Sequence, residues 1–255
     1  MIFINKPYVF SNYSLLKKYK IGLHYILKIK IKESTYASYK LFRSSLFDKQ
    51  KDFDTIKKLK KMYEYDFVQN KWEGYYDKIK IYIKVCPYCG FGEISEIDHF
   101  LPKSIYPEFS VFCFNLVPSC HICNSKKSNK NNICIHPYFE DIKDIDKMLR
   151  AEFKLENESL VCYYHKQKNI PIIVEKHIDT FDILNRYKEK ASIYMNNKIK
   201  IYSLFKDDLL YNIRLEYTGL KDIYLKVMYK AILDDFDNFK DCLEKINYDG
   251  INYNY

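Results

Sequence analysis

The chain has 255 residues, 47% of them hydrophobic and 29% charged, with a formal net charge of +9. That length can bury a sizeable core in one or two domains. The opening MIFINKPYVF lacks a basic region followed by a long apolar run and a small-residue cleavage site, and no uncharged apolar stretch approaches the roughly eighteen residues of a membrane span. A secreted or membrane-spanning chain is therefore not expected. The eight cysteines are then read in a reducing, cytoplasmic setting, with Cys113, Cys134, Cys162 and Cys242 as buried free thiols rather than disulfides.

The basic surplus sits at the front. Residues 1–85 carry 19 Lys or Arg against 8 Asp or Glu, residues 86–136 carry 4 of each, and residues 137–255 carry 19 against 21. A basic block of this size suits contact with a phosphate backbone, although the many Ile, Lys, Tyr and Asn residues also fit an AT-rich coding bias.

From Tyr13 to Tyr39 apolar residues recur at helical steps (Leu15, Leu16, Tyr19, Leu23, Ile26, Leu27), and Asp54 to Phe67 repeats the pattern. Residues 1–80 are expected to be a basic, mainly helical region. Lys78 to Val85 stays open: Ile79, Ile81, Ile83 and Val85 alternate with polar residues as in a strand, yet the segment also suits a helix end before a knuckle.

The most informative stretch runs from Cys86 to Asn129. Cys86-Pro-Tyr-Cys89 and Cys120-His-Ile-Cys123 are two equally spaced knuckles, so four thiolates can converge on one structural Zn²⁺. Between them, Glu93 to His99 reads as a short extended stretch ending in Asp98-His99. Pro102 and Pro107 break regular structure, and the chain is expected to return through Asn115-Leu116-Val117 to form a hairpin. After the second knuckle Asn124 can cap a short helix through Lys126 and Lys127. His121, one residue past Cys120, is expected to point away from the zinc.

Asp98-His99-x-x-Pro102, Asn115-Leu116 and Cys120-x-x-Cys123-Asn124 together resemble the HNH endonuclease family, the ββα-metal nucleases, in the branch stapled by a four-cysteine zinc. The likeness covers about one sixth of the chain. It implies His99 as general base, Asp98 and Asn124 as ligands of a catalytic divalent metal, and Asn115 as the residue orienting the hairpin and the histidine. An imidazole with an ordinary pKa near ~6.5 can take a proton from water at neutral pH. A carboxylate and an amide oxygen are hard ligands suited to Mg²⁺ or Mn²⁺. Many family members have His where this chain has Asn124, which makes a soft metal less suited to that position. Lys126 or Lys127 would contact a neighbouring phosphate.

Beyond the finger (residues 81–140), Asn129 to Asn132 reads as a polar loop, and His136 as a structural residue returning the chain to the core. Residues 141–255 are expected to hold a β-hairpin, Glu152 to His165 turning at Asn157-Glu158, and then a helical pair. Its two patterns are Asp182 to Tyr211 and Leu220 to Ile246, broken at Gly219. The C-terminal Asn-Tyr tail is expected to fray. The fold class expected is α+β: a zinc-stapled ββα-metal finger embedded between mainly helical segments. The function implied is metal-dependent hydrolysis of nucleic acid in host defence or a mobile element, with DNA favoured over RNA by the family and double-stranded DNA the expected partner. The competing reading is a non-catalytic zinc module binding nucleic acid or protein. The two differ in whether His99, Asp98 and Asn124 converge on one point. A Cys-x-x-Cys redox protein is disfavoured, because neither pair sits in a βαβ pattern.

Overall fold

The computed structural model describes residue 4 and residues 9–42, 45–129, 134–204 and 208–246. It divides into two compact units, residues 1–141 and 142–255. Both mix helices with a two-stranded antiparallel sheet, or consist of helices around one, so the α+β class holds. Among the described residues no helix is long and apolar enough to cross a membrane, and the eight cysteines are free and buried.

In the first unit the expected helix from Tyr13 to Tyr39 is interrupted. Helix α1 (Tyr13–Lys18) stops where Lys20 takes a left-handed φ of 51°. Helix α2 (Leu23–Ser34) starts after Gly22, and a 3₁₀ segment covers Tyr36–Leu41. Hydrophobic periodicity survives such a break because the residues on both sides still face one core; it cannot locate the break itself. Helix α3 (Phe53–Lys61) continues into a wider π-helical stretch, Met62–Gln69. Helix α4 (Tyr75–Ile81) settles the Lys78 to Val85 ambiguity: the segment is a helix end, after which Val85 forms an isolated antiparallel bridge to Glu93.

Strands β1 (Glu96–His99) and β2 (Leu116–Ser119) pair antiparallel, His99 opposite Leu116 and Asp98 opposite Val117, and helix α5 (His121–Lys127) follows. The expected order of strand, loop, strand, helix is present. No boundary between compact units falls near residue 80. Ile97, Val111 and Leu116 of the finger lie in the same buried cluster as Leu16, Ile29, Leu59 and Phe67 of the preceding helices. A finger of this size buries too little apolar surface to stand alone, so its hydrophobic side is completed by those helices.

In the second unit, β3 (Leu149–Glu156) and β4 (Ser159–Lys166) form the expected hairpin. Asn157 and Glu158 both have positive φ (48° and 62°), the backbone that a two-residue hairpin turn matching strand twist requires. Helix α6 (Ile172–Phe181) precedes α7 (Ile183–Leu204), which packs along β4. The Asn196 carboxamide bonds both the N–H and the carbonyl of Leu160, and Ser192 Oγ accepts from the Cys162 N–H. Side chains of α7 thus satisfy backbone groups that an edge strand would leave open. The expected helical pair is instead four helices. Leu209–Gly219 is α8, ending at the glycine that marked the break, and Ile223–Asp234 and Phe236–Glu244 are α9 and α10, separated by Asp235 in a non-helical conformation. Most of the expected polar loop after Asn129, and all of the C-terminal tail from residue 247, lie outside the described residues.

Candidate functional site

Cys86, Cys89, Cys120 and Cys123 converge, their four Sγ atoms all within 4.8 Å of one another. A tetrahedral Zn²⁺ with Zn–S bonds near 2.3 Å sets S–S separations of about 3.8 Å, so the four sulfurs stand near enough for one such ion. The backbone is shaped for it. Gly90, at φ 79°, closes the first knuckle with its N–H on the Cys86 carbonyl. A Cβ on Gly92 would come within 2.8 Å of Cys120 Sγ, so only glycine lets the chain pass. The Gly92 N–H points at Cys89 Sγ (3.3 Å) and the Cys123 N–H at Cys120 Sγ (3.4 Å), as donors facing thiolates do. Hydrogen bonding within the cluster pulls Cys89 well below the ordinary thiol range and Cys120 down to about 6, while Cys86 and Cys123 are pushed up. Four sulfurs sharing negative charge in a buried place suit a dication.

Cys120 has a second task. It is the N-cap of α5, its sulfur accepting from Cys123. Asn124, expected as the cap, lies inside the helix, because the chain has already turned helical at His121. Its side chain is thereby free of capping, and the carboxamide nitrogen donates to Glu96. The other oxygen of Glu96 receives His121 Nδ1 at 2.6 Å. These bonds hold Glu96 below and His121 above their usual ranges. His121 is exposed and turned away from the sulfurs, as expected.

Asp98, His99 and Asn124 line one cleft of about 340 Å³, together with Tyr63, Lys103 and Ser128. His99 is 9% exposed. One of its ring nitrogens, Nε2, lies 2.9 Å from the carbonyl oxygen of Ser110. A carbonyl only accepts, so Nε2 carries the proton and the Nδ1 lone pair is the free base. Burial pulls this imidazole down to about 3; the Ser110 bond opposes the shift, and Lys103 and Lys127 add to it. The ring is therefore neutral at neutral pH. Tyr63, from the π-helical stretch, holds it edge-on, with centroids 4.3 Å apart. Single π-turns recur at functional sites, where they re-aim a side chain.

Asn115 is fully buried and does not line the cleft. Its Oδ1 accepts from the Leu101 N–H and the Tyr36 hydroxyl, and its Nδ2 donates to the Leu101 and Phe109 carbonyls. It ties both ends of the 101–109 loop, and through Phe109 the neighbourhood of Ser110, rather than touching His99 itself.

The largest departure from expectation is Lys127. It is 1% exposed. Its ammonium is paired with both oxygens of Asp98 (3.1 and 3.0 Å) and donates to the His99 carbonyl (2.7 Å). The expectation that Lys127 contacts a phosphate is therefore corrected: α5 sets its ammonium on Asp98 and the His99 carbonyl, and a buried carboxylate requires a buried cation. Asp98, 4% exposed, also accepts from the Tyr88 hydroxyl at 2.7 Å. Lys126 is exposed but does not line the cleft. The lysine that does is Lys103, directly after the D-H-x-x-P run, its ammonium 4.6 Å over the Tyr63 ring and 3.1 Å from Glu64. Its position beside the motif is the sequence signal for this role. Ser128, also on the cleft, sits at φ 52° with no glycine to ease it. The oxygen-bearing side chains among the lining residues are Tyr63, Asp98, Asn124, Ser125, Ser128 and Asn129, and oxygen ligands suit Mg²⁺ or Mn²⁺. Asp98 would share such an ion with the charge of Lys127.

No family model matches the chain, and no solved structure matches it. It is similar to Protein ea31 of Escherichia phage lambda, 29% identical over 204 residues that make up 71% of this chain and 68% of that protein. It is also similar to Septu protein PtuB of Bacillus thuringiensis, 40% identical over 52 residues, which are 18% of this chain and 20% of that protein.

Proposed function

We propose that the chain is a metal-dependent endonuclease of the HNH type that hydrolyses phosphodiester bonds in nucleic acid, with double-stranded DNA as the favoured substrate. The observation that carries the reading is the neutral His99 with a fixed tautomer, sharing one cleft with Asp98 and Asn124. His99 Nδ1 takes a proton from a water molecule, whose oxygen forms a new bond to phosphorus as the bond to the leaving sugar oxygen breaks. The leaving oxygen is protonated from solvent. Lys103 offers a cation to the phosphate, and Lys126 one further along the backbone. A Mg²⁺ or Mn²⁺ held by Asp98 and Asn124 would supply charge stabilisation for the phosphate and the leaving oxygen. The four-cysteine zinc is structural. A relative from a phage accords with a role in host defence or in a mobile element.

The competing reading is a zinc module that binds nucleic acid without cutting it. Its support is the pairing of Lys127 with Asp98, which offsets the charge a catalytic dication would need. Incubating the purified protein with plasmid and single-stranded substrates in Mg²⁺, Mn²⁺ or EDTA separates the two. Cleavage dependent on metal supports the enzyme; tight binding with no cleavage in any metal supports the module.

A further inference from the structure

A second pocket, of about 600 Å³, opens in the first unit and is walled by Phe47, Phe53, Ile56, Ile105, Lys49 and Lys60 among others. It shares no lining residue with the His99 cleft, but the two meet at one loop. Pro102 and Lys103 wall the cleft, and Ser104, Ile105 and Pro107 wall the second pocket. That loop is a single tight turn, with the Ile105 and Tyr106 N–H groups both on the Pro102 carbonyl. The partition between the pockets is therefore one turn of backbone, braced from below by Asn115.

The chemistry of the pocket is mixed in a specific way. Its base is apolar, with Phe47 buried, whereas Phe53 at the first position of α3 leaves 62% of its surface open. A ring so exposed offers a face on which a planar group can stack. Lys49 is exposed and Lys60 half-buried, and neither forms an ion pair among the described residues. Lys57 and Lys58, exposed on the same helix, extend the positive surface. A neutral apolar ligand would not use the ammonium groups, and an acidic peptide would not use the aromatic slot. One unpaired nucleotide uses both, because it carries a planar base and a phosphate joined at a fixed distance. The volume is within the range usual for small-ligand sites.

We propose that this pocket is a nucleobase subsite, which takes one unpaired base of the nucleic-acid strand whose neighbouring phosphate lies in the His99 cleft. This rests on the nucleic-acid reading above. The base stacks on Phe53, Lys49 and Lys60 contact the phosphates flanking it, and the Pro102 to Pro107 turn separates it from the reacting phosphate. Within double-stranded DNA the site thus favours an unpaired or distorted step beside the cut over regular pairing.

The test uses the full-length His99→Ala protein, which holds strands without cutting them, and a single-stranded oligonucleotide of about 12 nucleotides. An abasic site is scanned along it, and in parallel 2-aminopurine replaces one base at a time. At one position the abasic gap is expected to weaken binding about tenfold, and 2-aminopurine there to be quenched on binding. Adding Phe53→Ala should abolish both effects, and Phe53→Trp should keep them. Lys60→Met should weaken binding of base-bearing and abasic strands alike. Equal affinity at every abasic position, or quenching that survives Phe53→Ala, would overturn the subsite. Plasmid cleavage by the parent protein is measured alongside. Cleavage without an abasic effect sinks the subsite alone, and an abasic effect without cleavage sinks the nuclease while the subsite stands.

Discussion

The Tyr88 hydroxyl donates to Asp98 at 2.7 Å, so a residue set between Cys86 and Cys89 holds the carboxylate next to the candidate base. The zinc knuckle and the cleft are joined by a hydrogen bond as well as by the chain. Tyr88 is fully buried, and Tyr88→Phe should keep zinc, because no ligand changes. The loss of one bond to a buried carboxylate should lower stability by about 2 kcal/mol. If Asp98 holds the catalytic metal, the Mn²⁺ concentration for half-maximal cleavage should also shift. An unchanged unfolding midpoint and metal response would show that Tyr88 does not position Asp98.

Removing one sulfur tests the frame itself. Cys120→Ser should lose the metal and most soluble protein, since structural zinc contributes on the order of 10 kcal/mol to local folding in small modules and Cys120 also caps α5. Gly92→Ala should behave alike, because its Cβ would meet Cys120 Sγ. Elemental analysis showing no zinc in the parent, or both variants as stable as the parent, would remove the zinc assignment.

Lys127 and Lys103 separate an internal cation from a phosphate contact. Lys127→Met leaves Asp98 buried without its partner and should cost about 3 kcal/mol in buffer with no added divalent metal; Mn²⁺ should return part of that loss if Asp98 is a ligand. Lys103→Ala should barely change stability, but should weaken DNA binding and reduce the log–log salt slope by about 0.9. If Lys127→Met lowers the salt slope without destabilising the fold, the pairing seen here is not the state that binds DNA.

His136 gives a pH test away from the metal ligands. It is fully buried among Tyr36, Tyr39, Phe100, Tyr138 and Phe139, its Nδ1 accepts from the Tyr138 N–H, and its Nε2 has no partner among the described residues. Burial, with Lys127 adding, holds it well below its ordinary value. The unfolded chain therefore binds a proton below about pH 6.5 that the folded chain refuses. The stability contribution is full above that pH and is lost as pH falls below it, by up to about 1.4 kcal/mol per pH unit. Trp72 is the one tryptophan of the chain and lies in the first unit, so its fluorescence reports that unit's unfolding. Urea titrations at descending pH should show a steeper loss in the parent than in His136→Phe. Equal slopes would mean that His136 is protonated in the fold.

Much of the finger was legible because its signals are local. Knuckle spacing, Asp98-His99 and the prolines act over a few residues, and the structure has the four-cysteine cluster, the hairpin and the helix. Other features were not legible, because they depend on side-chain placement that only the folded chain sets. The cap passed to Cys120 because its sulfur was already placed to accept from Cys123. Lys127 reads as a surface lysine until β1 sets Asp98 beneath it. Tyr63 reads as a core aromatic of α3, and only the π-helical stretch brings it onto His99. The fusion of the first helices with the finger was hidden for the same reason, since Ile97 and Leu116 meet Leu59 and Phe67 only in three dimensions.

The central claim is that His99 is the base of a metal-dependent nuclease, and cleavage by His99→Ala tests it most directly. Plasmid nicking in Mn²⁺ should fall at least ~10²-fold relative to the parent. Zinc content and DNA affinity should stay near parental, because the substitution touches neither the sulfurs nor Lys103. If His99→Ala cuts at the parental rate, the activity lies elsewhere and the assignment of this cleft as a catalytic site is contradicted.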